Sequence, residues 1–515
     1  MKTKYITRYI IISVFVTAWL HVAYINRIIV IEPLQKFWSK EYTFEQTRDE
    51  IAKNYPDKLE EKYEFINLNG LYVRMTGGRK CNDIIKLKNG SLTTVIESYD
   101  IKSNAQQTIA LKEKLAEKEI DYLYVQAPFK TNSELMPYGL VNEADNNANA
   151  FLAKIDGKVP YIDLRPFMTD SDEHINQYFY KTDHHWNPLG AFKAFQIISE
   201  YLQAQYPDET INGDYQNIDN WEIHRKENWF LGSSGKRTGI YFGGVDDLIW
   251  LTPKFETEMS CANIYRDDFY YGDYYKANIR EYYITEQDYF MSSAYNVYIG
   301  GDFPLIQHRN ASAPVEKKVL IIKDSFVLPL QTYFSTVFSE VDVIDLRHYT
   351  AGTLYEYIEE SNPDIVITNI NASAVPSYVV FEEGISEDNF NGNPITIYQN
   401  DEVTIEADDD EANKYVPIYE GVEAGKRYTF MCDSASVMKG NPLGVISIKL
   451  YDETTETFYD CSMLDVNYYE KKGSFKWTFT APSDVSNLKI LVYSGIAGRT
   501  NGDAIKLNNV RILQE

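Results

Sequence analysis

The chain has 515 residues, 44% of them hydrophobic and 24% charged, with a formal net charge of −25. That length exceeds one ordinary core and asks for two or three domains. An acidic chain repels nucleic acid and anionic lipid headgroups, so neither is an expected partner.

The N-terminus comes first. No residue from Tyr9 to Asn26 is charged, the centre reads IIISVFVTAWL, and Lys2, Lys4 and Arg8 precede it with Arg27 following. The run is near the ~17–25 residues that span a bilayer. Tyr24-Ile25-Asn26-Arg27 lacks the small residues of a signal-peptide cleavage site. A single-pass anchor at 9–27 is expected, with residues 1–8 as a cytoplasmic tail and the body outside the cell membrane. A cleaved signal is the alternative, and it also exports the body.

Residues 28–100 read as a stalk leading into a catalytic body at 101–400. There α/β alternation begins. SNAQQTIALKEKLAEK (103–118) places Thr108, Leu111 and Leu115 on one helical face. Strands are expected at 120–128 (IDYLYVQAP) and 158–164 (KVPYIDL), then a helix at 187–203 with Asn187 as cap and Pro188 at its first position. The rhythm returns with KKVLIIKDS at 317–325, a helical FVLPLQTYFSTVF, a strand at 341–346, a helix at 352–360 and a strand at 363–370. This order predicts an α/β fold, a mostly parallel sheet flanked by helices. Between the halves, 205–316 is rich in Tyr, Asn, Gly and Asp and reads as a long insertion or irregular subdomain over the sheet edge.

An acidic linker is expected at 401–414. Its Asp408-Asp409-Asp410-Glu411 run suits a solvated linker better than a calcium site. From 415 to 515, short segments of alternating apolar and polar residues separated by turns predict an all-β sandwich. Of four cysteines, Cys81 and Cys261 lie far apart, whereas Cys432 and Cys461 share this region and could bridge two strands.

Two stretches carry chemistry. In VLIIKDSFV, four apolar residues lead to Ser325 at the C-terminal end of a parallel strand, where open α/β sheets bind ligands. The following helix offers backbone N–H groups to a developing oxyanion. A serine there also serves as a plain helix cap. In KTDHHWNPLGAF (181–192), Asp183 and His185 stand two apart on one loop, as a base and the carboxylate that holds its tautomer would. A metal would need ligands from elsewhere, and no clustered Cys/His pattern supplies them, so no metal is expected. SSGKRT (233–238) lacks the upstream glycine of a phosphate loop, with Phe at 230, so no nucleotide cofactor is expected. Twelve aromatic residues between Tyr265 and Tyr298 offer faces for sugar stacking, or simply core.

TDHHWN resembles the DHHW family and is similar to the TDxHW motif of AlgJ/AlgX-type polysaccharide O-acetylation proteins, which have SGNH-hydrolase-like folds. KDSF resembles their nucleophile strand. YVQAPFK (124–130), FLGSSGKRTGIYFGGVDD (230–247) and YNVYIGGD (295–302) look like further DHHW-family stretches, so the resemblance covers about 60–400. It implies Ser325 as nucleophile, His185 as base and Asp183 as orienting acid. The N–H of Ser325 is an oxyanion donor, with Asn369 or Asn371 nominated as a second. Trp186, Tyr295 and Tyr298 are the substrate-contact candidates. The C-terminal region is similar to jelly-roll carbohydrate-binding modules. Together these imply a membrane-anchored O-acetyltransferase acting on a polysaccharide, without a cofactor, beside a multispanning membrane O-acyltransferase that passes it acetyl groups. A surface carbohydrate esterase and a glycan-binding scaffold are the alternatives.

Overall fold

The computed structural model describes residues 24–48, 50–51, 59–99, 101–211, 213–266, 268–349, 353–375, 395–406, 414–439, 444–452, 457–466, 475–481, 488–496 and 504–514. The expected anchor falls outside these apart from residues 24–27, as does the Asp408–Glu411 run. Among the described residues no helix is long and apolar enough to cross a membrane.

The helices used below are α1 (Lys62–Met75), α2 (Lys102–Glu117), α3 (Pro188–Gln205), α4 (Ser233–Thr238), α5 (Val327–Phe334) and α6 (Leu354–Ser361). The strands are β1 (Lys80–Cys81), β2 (Ile84–Lys86), β3 (Leu92–Thr94), β4 (Asp121–Ala127), β5 (Tyr161–Asp163), β6 (Trp221–Phe230), β7 (Asp246–Pro253), β8 (Met259–Asn263), β9 (Asp268–Gly272), β10 (Leu305–Asn310), β11 (Val315–Lys323), β12 (Phe338–Ile344) and β13 (Ile365–Asn371).

The main sheet has eight strands in the order β5-β4-β13-β11-β12-β10-β8-β9. The five from β5 to β12 are parallel. β11 and β13 lie inside it with Val319 opposite both Val341 and Ile365, and their apolar runs are buried on both faces, as central parallel strands require. Alternate side chains feed two cores: Val319, Ile321, Ile365 and Ile367 pack on one face, Leu320, Ile322, Val366 and Ile370 on the other. α3 and α5 cover the first face, α2 and α6 the second. Asn187 caps α3 by accepting from the N–H of Leu189 and Gly190, which leaves Pro188 where a helix can spare an N–H.

Three expectations change. The insertion at 205–316 is not irregular: β8, β9 and β10 add three antiparallel strands to the sheet, and β6 pairs with β7. Its Tyr- and Phe-rich segments fit half-buried strands, and β8 alternates buried and partly buried positions. Residues 62–99, expected as part of a stalk leading into the catalytic body, pack against that body. Asn67 accepts from the N–H of Ile240, Lys86 donates to the Phe242 carbonyl, and Leu92 N–H donates to the Lys181 carbonyl. Finally, 401–406 belongs to a strand, Ile395–Glu406, rather than to a linker. That strand and eight more, ending at Gln514, form two antiparallel sheets, one of five strands and one of four. Cys432 lies on the first and Cys461 on the second, and the Cys461 side chain is outside the described residues.

Candidate active site

From Val319 to Phe338 every residue is buried except Ser325. β11 stops at Lys323 and α5 starts at Val327, so Ser325 stands on a short turn where the chain leaves the sheet. Asp324 shapes that turn. Its Oδ1 accepts from Phe326 N–H at 2.9 Å, and its Oδ2 accepts from the backbone and side-chain amides of Asn371, each at 2.7 Å. Burial pushes the Asp324 carboxyl above its ordinary range, against the Asn371 and Phe326 hydrogen bonds and the nearby Arg347. Asn371, nominated as an oxyanion donor, is therefore committed to Asp324, and its Oδ1 also accepts from Ser373.

The TDHHWN loop leads directly into α3, whose cap is Asn187. His185 Nε2 lies 2.6 Å from Ser325 Oγ, and His185 Nδ1 lies 2.5 Å from Asp183 Oδ1. The same Oδ1 accepts from His185 N–H at 2.9 Å, which folds the loop back on itself and makes the two-residue spacing possible. Asp183 Oδ2 accepts from Ser233 N–H at 2.6 Å. Burial opposes ionisation of Asp183, but the two neighbouring histidines and the His185 hydrogen bonds outweigh it and hold the carboxyl well below its ordinary range. His184 turns aside, with Nδ1 2.8 Å from Ser233 Oγ. Burial, and then the neighbouring His185, pull its pKa down to about 3.

Further groups hold this loop. The buried Lys130 ammonium donates to the carbonyls of Tyr180 (2.7 Å), Lys181 (3.1 Å) and Asp183. Burial lowers its pKa to about 8, with Asp246 and Asp183 opposing the fall. Asp246 accepts from the N–H groups of Lys181 and Thr182, both at 2.7 Å, and from the Thr182 hydroxyl at 2.5 Å. A Cβ on Gly232 would come within 2.5 Å of Asp183 Cα and N, so only glycine lets the α4 turn reach the carboxylate. The roles of Lys130, Asp246 and Gly232 went unassigned in the sequence, although each sits in a segment noted there: YVQAPFK, FGGVDD or FLGSSG.

The substrate-contact candidates have other surroundings. Trp186 is fully buried and donates from Nε1 to the Phe326 carbonyl at 2.7 Å. Tyr298 is buried too, donating or accepting with Tyr333 at 3.1 Å while accepting from Leu251 N–H. Both belong to the core because a bulky ring with a satisfied polar tip packs well there. The ring of Tyr295 stacks on that of His185, with centroids 4.0 Å apart and planes 10° apart. Its hydroxyl donates to the carbonyls of Ser325 (3.1 Å) and Phe326 (3.3 Å). Asn369 lies on β13 opposite Lys323, buried, with neither its side-chain Oδ1 nor its Nδ2 partnered.

Asp183, His184 and His185 bring ligand atoms within 4.8 Å of one another. Asp183 Oδ1 and both His185 nitrogens are already engaged with each other or with Ser325. The arrangement therefore suits proton transfer to and from a serine hydroxyl.

Residues 88–226 match the family described as "SGNH hydrolase-like domain, acetyltransferase AlgX". Similar solved structures include Bacillus cereus PatB1, at 23% identity over 57% of this chain and 96% of that one, with a TM-score of 0.49. A DHHW family protein from Eubacterium siraeum gives 19% identity over 57% and 94%, with a TM-score of 0.42. The O-acetyltransferase domain of Pseudomonas putida AlgJ gives 14% over 57% and 92%, with a TM-score of 0.36. No curated relative matches the chain. The chain is thus similar, over the segment carrying Asp183 and His185, to SGNH hydrolase-like acetyltransferase domains.

Proposed function

We propose that this chain is an extracytoplasmic serine O-acetyltransferase acting on a polysaccharide, held at the cell membrane through residues 9–27. One observation carries the reading: His185 stands between Ser325 Oγ and Asp183 Oδ1, in hydrogen-bond reach of both. The match of residues 88–226 to an acetyltransferase domain supports it.

In this mechanism His185 Nε2 takes the Ser325 proton as Oγ attacks the carbonyl carbon of an acetyl donor. Asp183, ionised throughout, accepts from Nδ1–H and stabilises the imidazolium. The carbonyl oxygen becomes an oxyanion facing the Ser325 N–H, with the unpartnered Asn369 amide as the second donor to test. As the intermediate collapses, the donor's leaving oxygen receives the proton from His185 and acetyl-Ser325 remains. A sugar hydroxyl then gives its proton to His185 and attacks the acetyl carbonyl; the bond to Ser325 Oγ breaks, His185 returns the proton to that Oγ, and the sugar leaves as the acetate ester. Water in place of the sugar gives free acetate. A multispanning O-acyltransferase is the proposed membrane partner that supplies acetyl groups from the cytoplasmic side.

The test uses the chain with a chromogenic acetyl ester, with and without sugar acceptors. Ser325→Ala should lower turnover by at least about 10³-fold while the protein stays folded. Full activity in folded Ser325→Ala would sink the reading. Ser325-dependent acetyl-sugar establishes transfer, and Ser325-dependent acetate alone in every acceptor assigns an esterase.

A further inference from the structure

α1 has two unlike sides. Its inner side meets the body closely: a Cβ on Gly70 would lie 2.0 Å from the Thr238 carbonyl oxygen, and Asn67 Oδ1 accepts from Ile240 N–H at 2.9 Å. Its outer side carries Phe65, Leu68, Tyr72 and Met75, whose spacing of three, four and three residues forms one helical stripe. All four are exposed, from 38% at Phe65 to 78% at Met75. Contiguous apolar surface of this kind marks an interaction face.

Two observations say what covers it. First, Glu60 N–H donates to the Asn26 side chain at 2.8 Å, which sets the start of α1 beside the end of the 9–27 segment. The helix that follows that segment, Arg27–Trp38, also leaves Ile28, Ile31 and Trp38 exposed. Second, the local charge departs from that of the chain. The chain as a whole carries −25, yet no acidic residue lies between Phe65 and Asn82, a stretch that holds Arg74, Arg79 and Lys80, all exposed. Glu64, in the first turn, is the one acidic residue of α1. The repulsion from lipid phosphates that the net charge would cause is therefore weakened along this segment.

We infer that α1 lies in the headgroup–acyl boundary of the membrane that residues 9–27 enter, with Phe65, Leu68, Tyr72 and Met75 turned into the lipid. The inference rests on the proposed anchor and is independent of the acetyl chemistry. Amphipathic helices partition to such a boundary through their apolar side chains, and a tyrosine suits that depth. Docking there holds more than α1. The close contact between Gly70 and Thr238 ties α1 to the C-terminal end of α4, whose Ser233 N–H at the other end holds Asp183. α1 thus links the lipid surface to the loop that carries Asp183 and His185, and orients that loop over the bilayer.

The test places the full chain in lipid nanodiscs containing a phospholipid with a photoactivated diazirine high on its acyl chain, and maps the adducts by mass spectrometry. Adducts are expected on both 9–27 and 62–75. Leu68→Asp with Tyr72→Asp should lower those on 62–75 at least about fivefold, leave those on 9–27 unchanged, and keep the unfolding midpoint. Leu68→Ile with Tyr72→Phe should retain them, and the single Met75→Glu change provides a second disruptive variant. Adducts on 9–27 with none on 62–75 would overturn the inference and leave the anchor standing. Adducts on neither would overturn both. Adducts on 62–75 that persist undiminished in the folded Asp and Glu variants would show that the stripe is not the lipid contact and overturn the inference.

Discussion

Tyr295 does two jobs with one side chain. Its ring covers a face of His185, and its hydroxyl ties the carbonyls of the residues that carry and follow the nucleophile. The base and the nucleophile thus share a rigid neighbour, which fixes their separation. Tyr295→Phe keeps the stacking face and loses the hydroxyl bonds, each worth about 0.5–1.5 kcal/mol. We predict a fall of roughly three- to tenfold in kcat/KM for an acetyl ester. Tyr295→Leu also removes the flat face against His185 and should fall further. Equal kinetics in the two variants would mean that the stack does not position the base.

The loops around the site work by close approach. α4 brings Ser233 N–H to Asp183, and this contact needs the bare backbone of Gly232. Lys130 and Asp246 hold the other side of the loop through its carbonyls and N–H groups, so Asp183 is fixed from two directions. Gly232→Ala forces the α4 turn away from Asp183. A displacement of about 1 Å at a catalytic group costs on the order of 10²-fold in rate. We predict a loss of that size in kcat with the far-ultraviolet circular dichroism unchanged. Wild-type kcat in the alanine variant would show that the turn relaxes without moving the carboxylate.

At the scale of the whole molecule, the site couples global stability to pH. His184 has an ordinary pKa of 6.5 and falls to about 3 in the fold. Because the folded value is depressed, the unfolded chain binds the proton first, and stability falls as pH drops below 6.5 towards 3. Asp183, held low as well, adds a loss of the same sign only in more acidic solution, below its ordinary range. The His184 side chain is 36% exposed, which tempers the size of its effect but not its direction. The fall in urea midpoint between pH 7 and pH 5 should therefore be smaller in His184→Gln than in the wild type, with His308, depressed to about 4 by burial, sustaining part of it in both. Identical falls would show that His184 titrates alike in both states.

Much of this was legible in one dimension because periodicity and capping are local. The apolar run before Ser325 dictates a central strand, and Asn187-Pro188 dictates a helix start; both elements appear within two residues of expectation. The loop that pairs Asp183 with His185 is local too, since the Asp183 side chain bonds the N–H two residues on. What the sequence leaves open is whatever depends on contacts between distant segments. The register that sets Asn369 beside Lys323, the commitment of Asn371 to Asp324, and the burial of Trp186 and Tyr298 come from packing across more than a hundred residues for Trp186 and dozens for the others. The same holds for β8, β9 and β10, whose short sequences MSCAN, DFYYG and LIQHRN become strands because an existing sheet edge offers them hydrogen bonds. Residue type, spacing and the DHHW-family resemblance therefore nominated the nucleophile, base and carboxylate, and only the tertiary structure decided that their reacting atoms meet, because that meeting joins chain segments 140 residues apart.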